Sequence, residues 1–369
     1  MTREEYRQAI LDTAYLAACA VNGTIPERER TDTMDLDAVC RASRAHLLSC
    51  IAALSLEKAG IRNDELTQEI GKGVRKAVAF DAERTAVFGL LEESGIWYMP
   101  LKGSVLKELY PAEGMREMSD VDVLFDASRC EDVRKIMESR GFTTVQYDQG
   151  PHDGYHKEPI YCFEMHRSLF GDAHSKPLSE YYGNFENHLL KDDGNGFGYH
   201  LSDEDLYVYM IAHEYKHYKL SGTGLRSLLD TYVFLKERGP GMDWQYVDGE
   251  ISKLGMTDFE KSNRELAERL FSGETLSAEN AEMLDYIVYS GTYGTEGNRI
   301  NNLLHEKGRA GYLLSRAFLP YRSMKVIYPV LKKAPVLLPF CWIARWIGAL
   351  VNKPKRAYTQ FKAAFKRDV

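Results

Sequence analysis

The sequence predicts an α+β fold, with a mixed β-sheet core between residues 96 and 170 flanked by helical regions. Three observations carry this reading. Apolar residues before residue 95 recur at helical spacing; from Ile96 short apolar runs of strand length alternate with helical pieces; after residue 200 the helical spacing returns.

The bulk numbers agree with a large globular chain. At 369 residues, 44% hydrophobic and 27% charged, it has the composition of an ordinary soluble protein. At roughly 150 residues per domain it divides into two or three substructures. Six cysteines (Cys19, Cys40, Cys50, Cys130, Cys162, Cys341) show no C-x-x-C pair and no framework spacing. They read as free thiols in a reducing, cytoplasmic setting.

The elements follow in order. The N-terminus "MTREEYRQAILDTAYLAACAVNG" reads as an amphipathic helix and not as an export signal. Residues 1–95 form a helical entry region, with Leu47, Ile51 and Leu54, then Val74, Val78, Val87, Leu90 and Leu91 in helical phase. The core then runs "IWYMPL" (strand), "SVLKELY" (helix), "DVDVLF" (strand), "SRCEDVRKIMESRG" (helix), "FTTVQY" and "IYCFEMH" (strands). Ser128 with Glu131 reads as a capping box and Gly141 as a helix stop. A helical domain spans 171–310, where Ser202 with Asp205 marks a start and Gly239-Pro240 an end. Residues 311–369 form a basic amphipathic tail. From Tyr321 onward eleven basic residues face a single acidic one, a net +10, whereas the first 320 residues carry −17. The apolar run Ala334–Val351 contains Pro335, Pro339 and Arg345 and is not read as membrane-spanning.

The chemistry concentrates in the core. With a strand period of two, Asp120 and Asp122 share one face and Val121, Val123 and Phe125 the other. Ionised groups leave water only when compensated, and paired hard oxygens suit Mg2+ or Mn2+. Glu164 is as anomalous inside "IYCFEMH", sharing a face with Cys162 and His166. Gly103 and Ser104 open a helix after a strand, where glycine admits close approach of a phosphate and Lys102 adds positive charge. Arg116 is a candidate for phosphate contact or for pairing with an aspartate.

Strand, Gly-Ser, helix, Asp-x-Asp and a later strand carboxylate together resemble the nucleotidyltransferase fold of the DNA polymerase beta superfamily. More closely, "PLKGSVLKELYP", "REMSDVDVLF" and "FEMHRSL" are similar to the bacterial uncharacterised nucleotidyltransferase proteins, a likeness spanning most of Ile96 to Trp346. The resemblance implies transfer of a nucleoside monophosphate from a nucleoside triphosphate to an acceptor hydroxyl of a small molecule, sugar, protein or RNA. It implies that Asp120, Asp122 and Glu164 are catalytic and hold two cations, and that Gly103 and Ser104 grip the triphosphate, with Lys102 and Arg116 beside them.

Other readings compete. The same fold can serve as a catalytically silent interaction protein. "HEYKH" (His213–His217) matches the H-E-x-x-H pattern of zinc hydrolases, although Leu220 replaces the glycine of the extended motif. Alternatively, that helix walls the nucleotide domain, with His213 or His217 lining an acceptor pocket or packed as core. Arg226 and Asp230 read as an intrahelical pair. In the tail, Trp342, Ile343, Trp346, Ile347 and Leu350 form an apolar stripe beside basic residues, suited to an anionic membrane surface or to docking on the protein itself.

Overall fold

Helical periodicity in the first 95 residues becomes five helices: α1 (Arg3–Asn22), α2 (Arg28–Thr31), α3 (Leu36–Ala45), α4 (Ser49–Lys58) and the long α5 (Asp64–Glu93). The structure is a computed structural model and describes residues 1–62, 64–171, 176–194 and 196–352. The core follows as β1 (Tyr98–Pro100), α6 (Gly103–Leu106), β2 (Val121–Phe125), α7 (Cys130–Ser139), β3 (Thr143–Gln146), β4 (His152–Lys157) and β5 (Tyr161–His166). Then come α8 (Lys176–Tyr181), a two-residue pair β6 (Leu190–Lys191) and β7 (Tyr199–His200), α9 (Asp203–Leu220), α10 (Leu225–Glu237), α11 (Trp244–Lys253), α12 (Thr257–Ser272) and α13 (Ala278–Ser290). The C-terminal helices are α14 (Glu296–Ala317), α15 (Tyr321–Ile327) and α16 (Leu338–Asn352).

The predicted α+β class holds. Five strands form one mixed sheet in the order β1-β2-β5-β4-β3, with β2 parallel to β5 and every other neighbour antiparallel. All of β2 is buried because both faces are covered. Val121, Val123, Phe125, Phe163 and Met165 pack with Phe80, Val87 and Leu91 of α5 and Val133 and Met137 of α7. On the other face Leu124 joins the apolar cluster that contains Leu206, Tyr209 and Met210 of α9. Helix and sheet periods therefore sort the residues as expected, apolar side chains behind β2 and chemistry-bearing ones in front.

The local signals are mixed. Ser202 does cap α9, its Oγ accepting from Asp205 N at 3.1 Å, and Gly141 ends α7 at a positive φ of 83°. Ser128 forms no capping box with Glu131. Asp126 takes the cap instead, accepting from the Ser128 N–H at 2.9 Å and holding a short 3-10 turn ahead of α7. Strand β4 lies in a stretch that the sequence did not mark as a strand at all.

The chain divides into two compact units: Met1–Lys216 with Thr223–Thr292, and His217–Gly222 with the chain from Tyr293 on. The first holds the sheet and most helices. The second has small apolar clusters of its own, one around Ile300 and Tyr312 and one around Met324, Leu331 and Cys341. All six cysteines are free. Among the described residues no helix is long and apolar enough to cross a membrane.

Candidate active site

The turn from β1 into α6 sets the site. Leu101 N–H donates to Asp122 O at 3.0 Å, extending the β1–β2 pairing by one residue. Lys102 then takes φ 45°, in the left-handed region that side chains rarely adopt, a conformation costing about 1–3 kcal/mol unless its surroundings hold it. Two bonds do so, from Val105 N and Leu106 N to Lys102 O at 3.1 and 2.9 Å. The reversal turns the Lys102 side chain onto β2, where Nζ lies 2.7 Å from Asp122 Oδ1. Asp122 is only 5% exposed.

Register brings the remaining groups to the same face. Asp122 sits opposite Glu164 across the parallel β2–β5 pair, Gly154 opposite Glu164, and His152 opposite His166. His166 Nε2 donates to Asp122 Oδ1 at 2.8 Å and lies 3.6 Å from Glu164 Oε2, while His152 Nε2 is 3.7 Å from Glu164 Oε1. Asp120 precedes β2 and accepts from Ser119 Oγ at 3.1 Å. Thus Asp122 and Glu164 are cross-strand neighbours with Lys102 beside them, and Asp120, just ahead of β2, feels the charges of all three.

Electrostatics separate their roles. Burial would raise the Asp122 carboxyl, but the Lys102 ammonium and the His166 hydrogen bond outweigh it and hold Asp122 far below the usual carboxylate range. Contact with His166 lowers Glu164. Asp120 moves the other way, raised by burial and then by the charges of Asp122 and Glu164. Burial also lowers His152 despite its glutamate neighbour, favouring a neutral ring. These carboxylates fit a hard divalent cation on two grounds: Asp122 already takes a cation in the form of Lys102, and Asp120 is crowded by like charges that a dication would relieve.

Two buried hydroxyls add to the picture. Ser104 Oγ and Tyr209 OH have no hydrogen-bond partner among the described residues, although buried polar groups are normally satisfied. Tyr209 projects from α9 toward the charges of Lys102, Asp122 and Glu164. From the same helix Lys216 feels those three charges, and its Nζ lies 5.6 Å above the Phe170 ring. Burial, then Lys102, pushes the Lys216 ammonium down to about 8. Neither Tyr209 nor Lys216 was singled out from the sequence, and helical phase with Met210 and Leu220 offered no signal of its own. His152 was missed with its strand.

Of the two readings of Arg116, pairing with an aspartate holds and phosphate contact gives way: the side chain is buried, and its Nε and Nη2 donate to Asp230 Oδ1 and Oδ2 at 2.7 and 2.8 Å. Tyr110 OH donates to the same Oδ1 at 2.7 Å. Asp230 is therefore paired with Arg116, not with Arg226, whose Nη1 donates to Glu117 O at 2.7 Å. Gly103 borders this pair, since a Cβ there would meet Arg116 Nη1 at 2.6 Å. Its helix is a single turn, too short for a sizeable dipole, so the unpartnered Ser104 hydroxyl is the stronger phosphate candidate.

The H-E-x-x-H reading also fails on its glutamate. Glu214 is buried, accepts from Asn263 Nδ2 at 3.1 Å and Thr231 Oγ1 at 3.4 Å, and is pushed up to about 8 by burial. A general base needs access to water, and Glu214 faces the core. Among the described residues the group of His, Cys, Asp and Glu side chains placed to share an ion is His152, Glu164 and His166, without His213 or His217.

A model of a family described as uncharacterised nucleotidyltransferase matches residues 32–272, from the turn before α3 to the end of α12. No curated protein and no solved structure matches the chain.

Proposed function

The chain belongs to the uncharacterised nucleotidyltransferase family, and on that premise we propose that it moves a nucleoside monophosphate from a nucleoside triphosphate to an acceptor hydroxyl, releasing pyrophosphate. The observation that carries the reading is the pairing of Asp122 with Glu164 across β2 and β5, with Asp120 beside them. Asp120, Asp122 and Glu164 would hold Mg2+ or Mn2+. A cation held there would neutralise charge on the triphosphate and acidify the acceptor hydroxyl. Ser104 and the Gly103 backbone orient the phosphates, and Lys102 and Lys216 supply positive charge from the β1–α6 turn and from α9. Such chemistry asks a protein chiefly for positioning and charge compensation. The test is incubation with each triphosphate labelled at the α-phosphate, Mg2+ and cell extract. Label entering an acceptor as pyrophosphate appears supports transfer; no label from any triphosphate leaves a silent binding module of the same fold.

Lys216 gives this reading a pH signature. Its ammonium persists below about 8 and is lost above it, so triphosphate affinity is expected to fall as pH rises through that value. Lys216→Arg, always protonated, should remove the alkaline limb. Calorimetric titration of the triphosphate across this range checks it, and a flat wild-type profile would count against a phosphate role for Lys216.

A second observation favours a membrane contact for the C-terminal unit. The tryptophans of α16 dock on their own unit, Trp342 Nε1 donating to Leu319 O at 2.9 Å and Trp346 Nε1 to Ala317 O at 2.7 Å. Phe340 and Ile347 are 68% and 58% exposed, in a stripe with Ile343 and Val351. The Leu350 side chain and Lys353 onward lie outside the described residues. An apolar stripe on a segment of net +10 suits an anionic lipid surface. Removing residues 353–369 should weaken binding to phosphatidylserine vesicles by about 1 kcal/mol for each basic residue that reaches the surface, less at high salt. Unchanged, salt-insensitive sedimentation would defeat the contact.

A further inference from the structure

The face of β4 and β5 carries two imidazoles that nucleotidyl transfer does not require. His152 and His166 are directly opposed across the antiparallel pair, and Glu164 lies two residues before His166 on the same face. One ligand atom from each of His152, Glu164 and His166 falls within 4.8 Å of the others. Two donors each about 2.1 Å from a shared ion sit about 3–4 Å apart. The separations of 3.7 Å from His152 to Glu164 and 3.6 Å from His166 to Glu164 fall in that range. Asp122 Oδ1, 2.8 Å from His166 Nε2, stands beside them as a fourth donor now shared with Lys102. His166 is 4% exposed; its Nε2 faces Asp122 and Glu164, and its Nδ1 has no hydrogen-bond partner among the described residues, so the proton can move to Nδ1 and leave Nε2 free to bind a cation.

We propose that His152, Glu164 and His166, with Asp122 adjacent, form a site selective for a first-row transition-metal dication over Mg2+. The chemistry of the donor set decides this. Mg2+ takes oxygen ligands and gives up its waters reluctantly, whereas imidazole suits zinc, iron and nickel, and two histidines with one carboxylate leave coordination positions open. Asp120, outside the cluster, remains an oxygen donor for the triphosphate's cation, so the two ends of the face differ in preference. The inference rests on the reading of this face as a cation site and does not need transfer to occur.

The test uses the full-length chain, stripped with chelator and titrated with Co2+ without nucleotide. One Co2+ per chain is expected, with a visible ligand-field absorption that Zn2+ abolishes and excess Mg2+ does not. His152→Ala and His166→Gln should each weaken Co2+ binding at least about 100-fold, while His156→Ala, an exposed histidine on the same strand, should leave it unchanged. Circular dichroism verifies folding of each variant; His152 is the safer site because it is partly exposed. Co2+ binding that survives both substitutions, or that Mg2+ displaces equally well, overturns the proposal. Binding of the magnesium triphosphate is measured on the same samples. If it persists without a Co2+ site, the inference alone fails; a Co2+ site without triphosphate binding removes the transfer reading and keeps the inference.

Discussion

Replacing Asp120 and Asp122 together by asparagine is expected to lower nucleotidyl transfer at least about 1,000-fold, about 4 kcal/mol of barrier. Asparagine keeps the volume and removes both negative charges, so the face that should gather cations would instead carry the positive charge of Lys102 with Glu164 as its remaining carboxylate. Glu164→Gln should cost less, about 100-fold, with triphosphate binding mostly retained, because in the proposed mechanism the aspartates hold the triphosphate's cation. Label transfer in extract checks the series, with thermal unfolding run in parallel to show that each variant folds. Equal losses at all three positions with lowered melting temperatures would indicate a structural role instead, and near-normal turnover by Glu164→Gln would end the three-carboxylate mechanism.

The second large effect is on stability. Arg116→Met should destabilise the first unit by about 3–5 kcal/mol, because it leaves the Asp230 carboxylate buried with only the Tyr110 hydroxyl to compensate it. If the cost lies in the orphaned charge, adding Asp230→Leu should recover much of it, since an apolar pair of similar volume avoids the desolvation. Urea unfolding of wild type, Arg116→Met and the double variant measures this. A phosphate-binding arginine would behave differently: stability would hold and triphosphate affinity would fall.

Arg116 also shows where the sequence becomes unreadable. Its partner Asp230 lies 114 residues downstream, and nothing local distinguishes an arginine for such a partner from one for phosphate. Asp230 invited the helical i, i+4 reading with Arg226 for the same reason: local spacing was visible and the distant pair was not. The placing of Asp122 beside Glu164, by contrast, was legible because a carboxylate in an apolar run is anomalous at short range and the strand period assigns its face. Strand β4 was hidden by its composition. His152, Gly154 and His156 line one face and Asp153 lies on the other, fully buried, with only Tyr155 as a large apolar residue. Asp153 is tolerated because Arg167 grips it with Nε and Nη2, both at 2.9 Å, a contact made only when β5 has been placed. With β4 unseen, His152 was unseen as well. The Lys102–Asp122 contact depends on a left-handed residue at position 102, which a lysine does not advertise.

The most direct measurement is calorimetric titration of a nucleoside triphosphate into the full-length chain, with a divalent cation and again with chelator, for wild type and the Asp120→Asn, Asp122→Asn double variant. It requires no knowledge of the acceptor. The expected result is binding by wild type with the cation, none with chelator, and loss of the cation-dependent binding in the variant. Equally tight binding by both proteins in chelator would contradict a cation site built on these aspartates.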